Sequence, residues 1–469
     1  MPQFFPKFIR RWHDTKDKAH AMAVRYKFRN SLRGYLMNTA DVISVAGLQT
    51  FDSRRGMALL MRPDIAFALV WIAVFSAYNF RFVDYFPDPH WKVVAMVSGS
   101  LAIGVASTFL WRRLLQPSFA SSPKLPSSGI WRRVIFVSLA VWLIGFTAII
   151  VYSGGMPIYW YSAGIPKTYV DYGIPTFSGA WNTFRVVLAI LAALSLVTQP
   201  KFDEVIAAVL VLLTATVIFE INRGGFILYS FNVLAACILI APTLRRQIMW
   251  VVVVSVVTLG GIYGMGNIRA TEPKAATAIG GAFEQSVESE ATGSGAVIAK
   301  SQDVLKTKRA VIAQSQALSW IYLYLTTPVA NLHHAAAQEL QPPPSPAFHT
   351  LYPMLPSVIR PVMPEESRYP LPLLSAGYTM TTAYGPFVAD FGFVGASIVM
   401  GLQLAIGTLV YLLARRALWA LILVPMLFAT TALGFFTNYF FTLLMPFHAA
   451  LAVGATLLFS ALMRGRKSC

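Results

Sequence analysis

Charged residues are scarce in this chain. They make up 12% of its 469 residues, whereas an ordinary soluble domain has about 25%. Apolar residues make up 56%, and the mean hydropathy is +0.59. This balance excludes a water-soluble enzyme and indicates a protein that lies mostly within a membrane.

Cysteines and metal-ligand clusters are also scarce. The two cysteines, Cys237 in an apolar run and Cys469 at the last position, cannot form a disulfide framework. His333 and His334 are adjacent rather than one helical turn apart, and no cysteine or aspartate cluster accompanies them, so we expect no metal and no other cofactor. No internal repeat is evident, which argues against the inverted-repeat plan of many transporters.

Basic residues dominate the few charges that are present. There are 38 Lys and Arg against 20 Asp and Glu, a formal net charge of +18. In a soluble protein this excess would suggest nucleic acid as a partner. In a membrane protein it is the expected result of placing Lys and Arg on the cytoplasmic side, so we expect no nucleic-acid partner.

Ten apolar runs can cross about 30 Å of hydrocarbon as helices. They lie near residues 64–83, 92–111, 134–152, 184–198, 205–220, 226–242, 248–266, 386–414, 417–436 and 439–462. We therefore divide the chain into a basic N-terminal segment (1–62), seven transmembrane helices (63–266), a large loop (267–383), and three further transmembrane helices with a basic C-terminus (384–469).

The basic residues orient these spans. With a cytoplasmic N-terminus, the inside segments hold 25 of the 38 basic residues. Many are arginine pairs beside a span, such as Arg415 and Arg416, and such pairs fix orientation. We expect both termini inside and the large loop outside. This loop has eight basic and eight acidic residues, predicted helices within 303–338, and ten prolines between 341 and 372.

Four of the arginines at or beyond the outer membrane edge are candidates for a binding site. Arg223, in INRGGFILYS (221–230), lies in a very short link between two apolar runs, where a charge must face protein, water or an anion. Arg269 follows the seventh span, and Arg360 and Arg368 lie in the proline-rich stretch. Because arginine holds phosphate by a bidentate fork, these residues are candidates for binding a lipid-linked pyrophosphate. The alternative for each is a plain interfacial role.

Asp390 lies near the start of a long apolar run in 383–416. As a helix this run would be about 45 Å long, which exceeds the membrane core. Since Arg415 and Arg416 anchor its inner end, we expect Asp390 near the outer interface, as a general base, an arginine partner or a helix-start charge. The other candidate bases outside the membrane are His333, His334, His349, Glu365 and Glu366.

Four motifs together resemble one family. YTMTTAYGPFVADFGFVG (378–395), with its Asp-Phe-Gly-x-x-Gly core, resembles the signature of the oligosaccharide repeat-unit polymerases, the Wzy-type O-antigen polymerases. IYLYLTTPVANL (321–332) is similar to the family's aromatic stretch, INRGGFILYS to its membrane-edge arginine segment, and GFFTNYFFTLL (434–444) to its late outer turn.

The resemblance implies an all-helical membrane fold similar to that of the metal-independent lipid-carrier glycosyltransferases (GT-C-like), in the bacterial inner membrane. It implies transfer of a growing glycan from undecaprenyl pyrophosphate to the non-reducing end of a lipid-linked repeat unit, on the periplasmic face. Implied partners are this lipid-linked substrate, membrane lipids, and a chain-length regulator and flippase of the same pathway.

The resemblance and the residues together give a candidate site. The candidates for catalysis are Asp390, His349 and Glu365. The candidates for binding pyrophosphate or other parts of the substrate are Arg223, Arg269, Arg360, Arg368, Tyr378, Tyr384, His333 and His334. An O-antigen ligase, with the same donor and a lipopolysaccharide core acceptor, is the first alternative. A lipid-linked oligosaccharide flippase is the second; it would favour charges buried in mid-membrane and a repeat across the two halves.

Overall fold

The computed structural model describes residues 56–82, 86–115, 126–199, 202–270, 316–338, 348–363, 371–374 and 380–465. Within these ranges every regular element is a helix. The α-helices are α1 (Pro63–Asn79), α2 (Trp91–Leu115), α3 (Ser128–Ser153), α4 (Pro157–Ser162), α5 (Phe177–Thr198), α6 (Glu204–Phe219), α7 (Arg223–Ile240), α8 (Leu244–Ala270), α9 (Gln316–Ala337), α10 (Phe348–Leu351), α11 (Gly385–Leu413), α12 (Leu418–Ala432) and α13 (Leu444–Gly465).

Ten of these helices correspond to the ten predicted spans. Seven are long and apolar enough to cross a membrane: α2, α3 with its continuation α4, α5, α7, α8, α11 and α13. Three more, α1, α6 and α12, are apolar but shorter, with 17, 16 and 15 residues. The part of the chain that the structure describes is therefore all-helical, and its apolar helices indicate a multi-pass membrane protein, as the composition predicts.

The centre of the bundle is formed by α5, α7 and α12. Every side chain of α5 from Val187 to Val197 is buried, and so is nearly all of α12. In contrast, α8 and α13 leave most of their apolar surface uncovered. Apolar helices of this kind are suited to contact with lipid, because lipid tails replace protein as the apolar surroundings.

The tightest helix pair is α2 with α11. A Cβ added at Gly401 would lie 2.6 Å from the Cβ of Ile103, so the two backbones approach as closely as glycine allows. The hydroxyl of Ser397 donates to the carbonyl of Met96 across the pair at 3.0 Å. Small residues and interhelical hydrogen bonds of this type drive helix association in membranes, and they hold α11 against α2.

A kink at Gly392 divides α11. Its φ of 66° and ψ of −178° are non-helical and suit only glycine. The residues before it, Gly385–Phe391, form a short separate helical segment that carries Asp390. The residues after it form a helix of about 31 Å, which matches the membrane core. The kink therefore separates the part of the run that exceeds the membrane core, Gly385–Phe391, from the part that can span it.

The loops predicted to lie inside and the loops predicted to lie outside are at opposite ends of the bundle. The end with the inside loops carries arginines, and we call it the basic end: Arg132 pairs with Asp203 at 2.6 Å, and Arg416 donates to the carbonyl of Leu115 at 3.1 Å. Of the predicted N-terminal segment, the structure describes 56–62, and the 3₁₀ helix Gly56–Met61 contacts α8 there. The other end, which we call the loop end, holds residues 154–176, 348–363 and 433–443.

Candidate functional site

A cavity of about 430 Å³ lies at the loop end, where four segments of the chain meet. Its walls come from residues 176–180, 353–360, 381–386 and 437–444. The polar side chains among the described residues that line it are five threonines, Ser357, Asn438, Tyr439 and Arg360, so the arginine is the one charged group in that set. The cavity wall therefore carries many neutral polar groups but a single charge among its described residues.

The motifs that carry the family resemblance meet at the loop end, where two of them, 378–395 and 434–444, line this cavity. Asn331, at the end of 321–332, donates to the carbonyl of Met380 in 378–395 at 2.8 Å. The backbone N–H of Ala383, in the same motif, donates to the carbonyl of Gly434 in 434–444 at 2.7 Å. The segments 321–332, 378–395 and 434–444, which span more than a hundred residues of sequence, are thus hydrogen-bonded to one another at the loop end.

Tyr439 joins the cavity to the fourth motif, 221–230. It lines the cavity, and its hydroxyl lies 3.6 Å from the position that a Cβ would take at Gly224. Burial, and secondarily the neighbouring Tyr324, raise the pKa of Tyr439 to about 12, so its hydroxyl stays protonated and can donate. Arg223, the residue before Gly224, therefore lies beside the cavity rather than at a remote surface.

Arg223 is the first residue of α7 and is buried, with 7% of its surface exposed. The side chain of Asn222 caps the helix by accepting from the N–H of Gly225 at 3.0 Å. The N-terminus of a helix carries a partial positive charge, which disfavours a nearby cation such as Arg223. An anion, in contrast, is attracted both to the helix N-terminus and to the arginine. Arg223 and the start of α7 therefore form a place that suits a negatively charged group.

A buried ion pair lies between α5 and the end of α6. Arg185 holds Glu220 by two parallel hydrogen bonds, each of 2.8 Å, and both side chains are at most 7% exposed. Glu220 is followed directly by Ile221, whose φ of 53° is strained for a β-branched residue. The pair fixes the turn that leads into Arg223. The sequence prediction missed it, because Arg185 was placed within an apolar run.

Asp390 does not face the cavity as a free base. Its two oxygens accept from the backbone N–H groups of His349 at 3.1 Å and Thr350 at 2.7 Å, and it is 3% exposed. It is therefore a helix-start charge, one of the three roles open to it, but for α10 rather than for its own helix. By this contact Asp390 anchors the segment that contributes Pro353, Ser357 and Arg360 to the cavity.

Arg360 and Thr176 shape the cavity wall. Arg360 donates from Nε to the carbonyl of Leu355 and from Nη2 to that of Pro353, both at 3.0 Å. Thr176 has a φ of 65°, and its hydroxyl lies 2.8 Å from that of Ser357 and accepts from the Ser357 N–H at 3.0 Å. Strained non-glycine residues concentrate at functional sites, and Thr176 and Ile221 both flank this one.

The structure places three of the predicted binding residues away from the cavity. Tyr384 is fully buried, donates to the hydroxyl of Ser100 and packs edge-on against Trp71. His333 is also fully buried, and its Nδ1 accepts from the N–H of His90. Burial and the nearby His90 lower the pKa of His333 to about 4, so it is neutral at pH 7 and cannot act as a cation. His334 is half-buried and pairs with its neighbour Gln338.

The remaining predicted residues are described in part or not at all. Arg269 belongs to the last turn of α8, at the loop end, but its side chain lies outside the described part. His349 is half-buried, one helical turn before Pro353 of the cavity wall. Glu365, Glu366, Arg368 and Tyr378 lie outside the described residues. Within the described residues no group of three potential metal ligands occurs.

No protein-family model matches this chain, and neither a curated protein nor a solved structure matches it.

Proposed function

We propose that this protein is a membrane glycosyltransferase that polymerises lipid-linked oligosaccharide repeat units. The observation that carries the proposal is the meeting of a neutral polar cavity with a cationic helix start. A glycan attached to a lipid pyrophosphate has the same two parts, a polyhydroxyl group and an anion. In addition, two of the four motifs that resemble the repeat-unit polymerases, 378–395 and 434–444, line this cavity, and the other two, 221–230 and 321–332, contact them.

The distribution of charge supports an orientation. Arginine pairs lie at the basic end, and basic residues are retained in the cytoplasm. We therefore propose that the loop end faces the periplasm of the bacterial inner membrane, with both termini in the cytoplasm. The polyprenyl chain of the donor would lie against the apolar helices, with its pyrophosphate at the membrane edge beside Arg223.

The proposed reaction is a glycosyl transfer. An oxygen of a sugar hydroxyl on the acceptor repeat unit forms a bond to the anomeric carbon of the growing glycan. The bond from that carbon to the pyrophosphate breaks, and the electron pair leaves with the polyprenyl pyrophosphate. Arg223 and the start of α7 stabilise the developing negative charge. The hydroxyl proton passes to a base, for which His349 and Glu365 remain the candidates, because both oxygens of Asp390 hold backbone N–H groups.

Polymerisation by the purified protein tests this function. In lipid nanodiscs, in the presence of EDTA, the protein should convert extracted lipid-linked repeat units into a ladder of longer glycans. Transfer only to added lipopolysaccharide core would instead identify a ligase. Movement of the repeat unit across a vesicle membrane without any new glycosidic bond would identify a flippase.

Arg223 is the residue to substitute in this assay. Arg223→Ala should lower kcat/KM more than a hundredfold, because a contact that strengthens in the transition state contributes about 3 kcal/mol. Arg223→Lys should restore only part of the rate, since a point charge cannot replace the planar fork. Arg245→Ala is the matched control, because Arg245 is exposed at the basic end. Wild-type rates in Arg223→Ala would refute the site.

A further inference from the structure

Within the proposed function, we propose that the side-chain amide of Asn438 donates a hydrogen bond to a neutral sugar residue bound in the cavity. Asn438 thereby separates the sugar subsite from the pyrophosphate subsite beside Arg223. The proposal rests on the two ends of this amide, on the chemistry of the cavity wall, and on the position of the next residue, Tyr439.

The two ends of the Asn438 side chain have different surroundings. Its Oδ1 accepts from the N–H groups of Phe440 at 3.1 Å and Phe441 at 3.0 Å, which fixes the outer turn between α12 and α13. Its Nδ2 has no hydrogen-bond partner within the described part of the chain, although the residue is only 6% exposed. Buried polar groups are nearly always paired, so an unpaired one calls for an explanation.

The turn itself does not require this nitrogen. Aspartate is as common as asparagine in turns in which a side-chain oxygen accepts from following N–H groups. An aspartate at 438 would make the same two hydrogen bonds without leaving a buried donor unpaired. The amide nitrogen therefore has a use outside the turn, and Asn438 is itself part of the cavity wall.

The cavity suits an uncharged group with many hydroxyls. Thr381 and Thr437 contribute hydroxyls that can both donate and accept, as sugar hydroxyls do, and the hydroxyl of Thr442, which donates to the carbonyl of Tyr439 at 2.8 Å, can still accept. Among the described residues of the wall there is no carboxylate, and Arg360 directs two of its nitrogens to carbonyls of its own segment. A volume of about 430 Å³ is ample for a sugar ring, since ligand pockets range over about 300–1,000 Å³.

Asn438 and Tyr439, which are consecutive in sequence, face the two proposed subsites, one for sugar and one for pyrophosphate. Asn438 belongs to the neutral wall, and Tyr439 reaches the first turn of α7, with its hydroxyl 3.6 Å from the Cβ position of Gly224. A sugar held at Asn438 is thus adjacent to a pyrophosphate held at Arg223. This is the arrangement that a sugar-to-pyrophosphate linkage requires.

Binding of two separate probes tests the assignment. The probes are the free repeat-unit oligosaccharide, released from its lipid by mild acid, and inorganic pyrophosphate, each titrated into protein in nanodiscs by calorimetry. Asn438→Asp keeps the oxygen that fixes the turn and removes only the amide donor. We expect it to weaken oligosaccharide binding about 10- to 100-fold and to leave the midpoint of thermal unfolding unchanged. Arg223→Ala should show the converse pattern, with lost pyrophosphate binding and retained oligosaccharide binding.

Two results would overturn the proposal. One is wild-type oligosaccharide affinity in Asn438→Asp, which would show that Asn438 only stabilises the outer turn. The other is an equal loss of both probes in this variant, which would indicate repulsion by the new carboxylate or a collapsed site. Because the titrations need no turnover, they are independent of the polymerisation assay. A protein that binds oligosaccharide through Asn438 but makes no polymer would retain the subsite and refute the polymerase.

Discussion

The contact between Asp390 and the segment 348–363 leads to our most detailed prediction. Asp390→Asn keeps the shape of the side chain but replaces one carboxylate oxygen by an amide group, which cannot accept a hydrogen bond. One of the N–H groups of His349 and Thr350, now held at 3.1 and 2.7 Å, would lose its partner. Hydrogen bonds to charged groups contribute about 1.5–3 kcal/mol, so we expect the segment to be held less tightly by about 2 kcal/mol.

This loosening should appear both in exchange and in rate. A loss of about 2 kcal/mol corresponds to about a 30-fold change in an equilibrium, so amide hydrogens of 348–355 should exchange roughly 30 times faster without substrate. Polymerisation should slow by up to the same factor, because Ser357 and Arg360 are no longer held at the cavity. The acidic limb of the pH–rate profile should keep its midpoint, since a carboxylate that only positions the segment transfers no proton.

A control and a refuting outcome complete this test. Asp171→Asn removes an exposed carboxylate that accepts from the N–H and hydroxyl of Thr168, and it should leave polymerisation unchanged. If Asp390→Asn abolished activity and the acidic limb while amide exchange stayed at the wild-type rate, Asp390 would be the general base and the positioning role would be wrong.

The other predictions concern stability and topology. Arg185→Met should destabilise the protein by about 3–5 kcal/mol, because it leaves a buried carboxylate unpaired, and the double variant Arg185→Met, Glu220→Leu should recover most of that loss. Thermal unfolding in detergent measures the stability of both variants. Equal stability of the single and double variants would contradict the reasoning. Ser162 is exposed at the loop end and Ser128 at the basic end. In intact cells, an impermeant maleimide should therefore label Ser162→Cys and leave Ser128→Cys unlabelled. The reverse pattern would show that the proposed orientation is wrong.

The helices could be predicted because they depend on local composition. A run of apolar residues needs no partner to identify it, so each of the ten predicted runs coincides with a helix, and seven of these helices are long and apolar enough to cross a membrane. The ends of the helices were less accurate. The last span was predicted to begin near 439, but α13 begins at Leu444. The aromatic residues around Asn438 are apolar by composition, yet the asparagine accepts from two backbone N–H groups and makes a turn.

The site was predicted only in part because most of it depends on contacts between distant segments. Arg223 and Asp390 stood out as charges near the ends of apolar runs. Asn438 and Thr176 carry no such signal, since polar uncharged residues are common in outer turns. Their places in the cavity wall depend on how residues 176–180 and 353–360 pack beside residues 437–444.

The pair of Arg185 and Glu220 did leave a signal in the sequence. Opposite charges occur near the outer ends of two consecutive predicted spans, and each would be too costly in an apolar setting without the other. This pair also bears on the flippase alternative, which favours buried charges. Both charges are engaged here in a bidentate contact of 2.8 Å. A fixed, bidentate contact supports a static structural role better than a site that binds and releases substrate.

The two strained residues beside the cavity are each supported by a hydrogen-bonded partner nearby. Thr176 is held by the hydroxyl and N–H of Ser357, and Ile221 directly follows Glu220, which Arg185 fixes. Strain of about 1–3 kcal/mol per residue persists only where the surroundings impose it. On one side this support brings the segment with Arg360 to the cavity, and on the other it directs the chain into α7. The same contacts that offset the strain therefore also set the distance between the neutral cavity and its cationic neighbour.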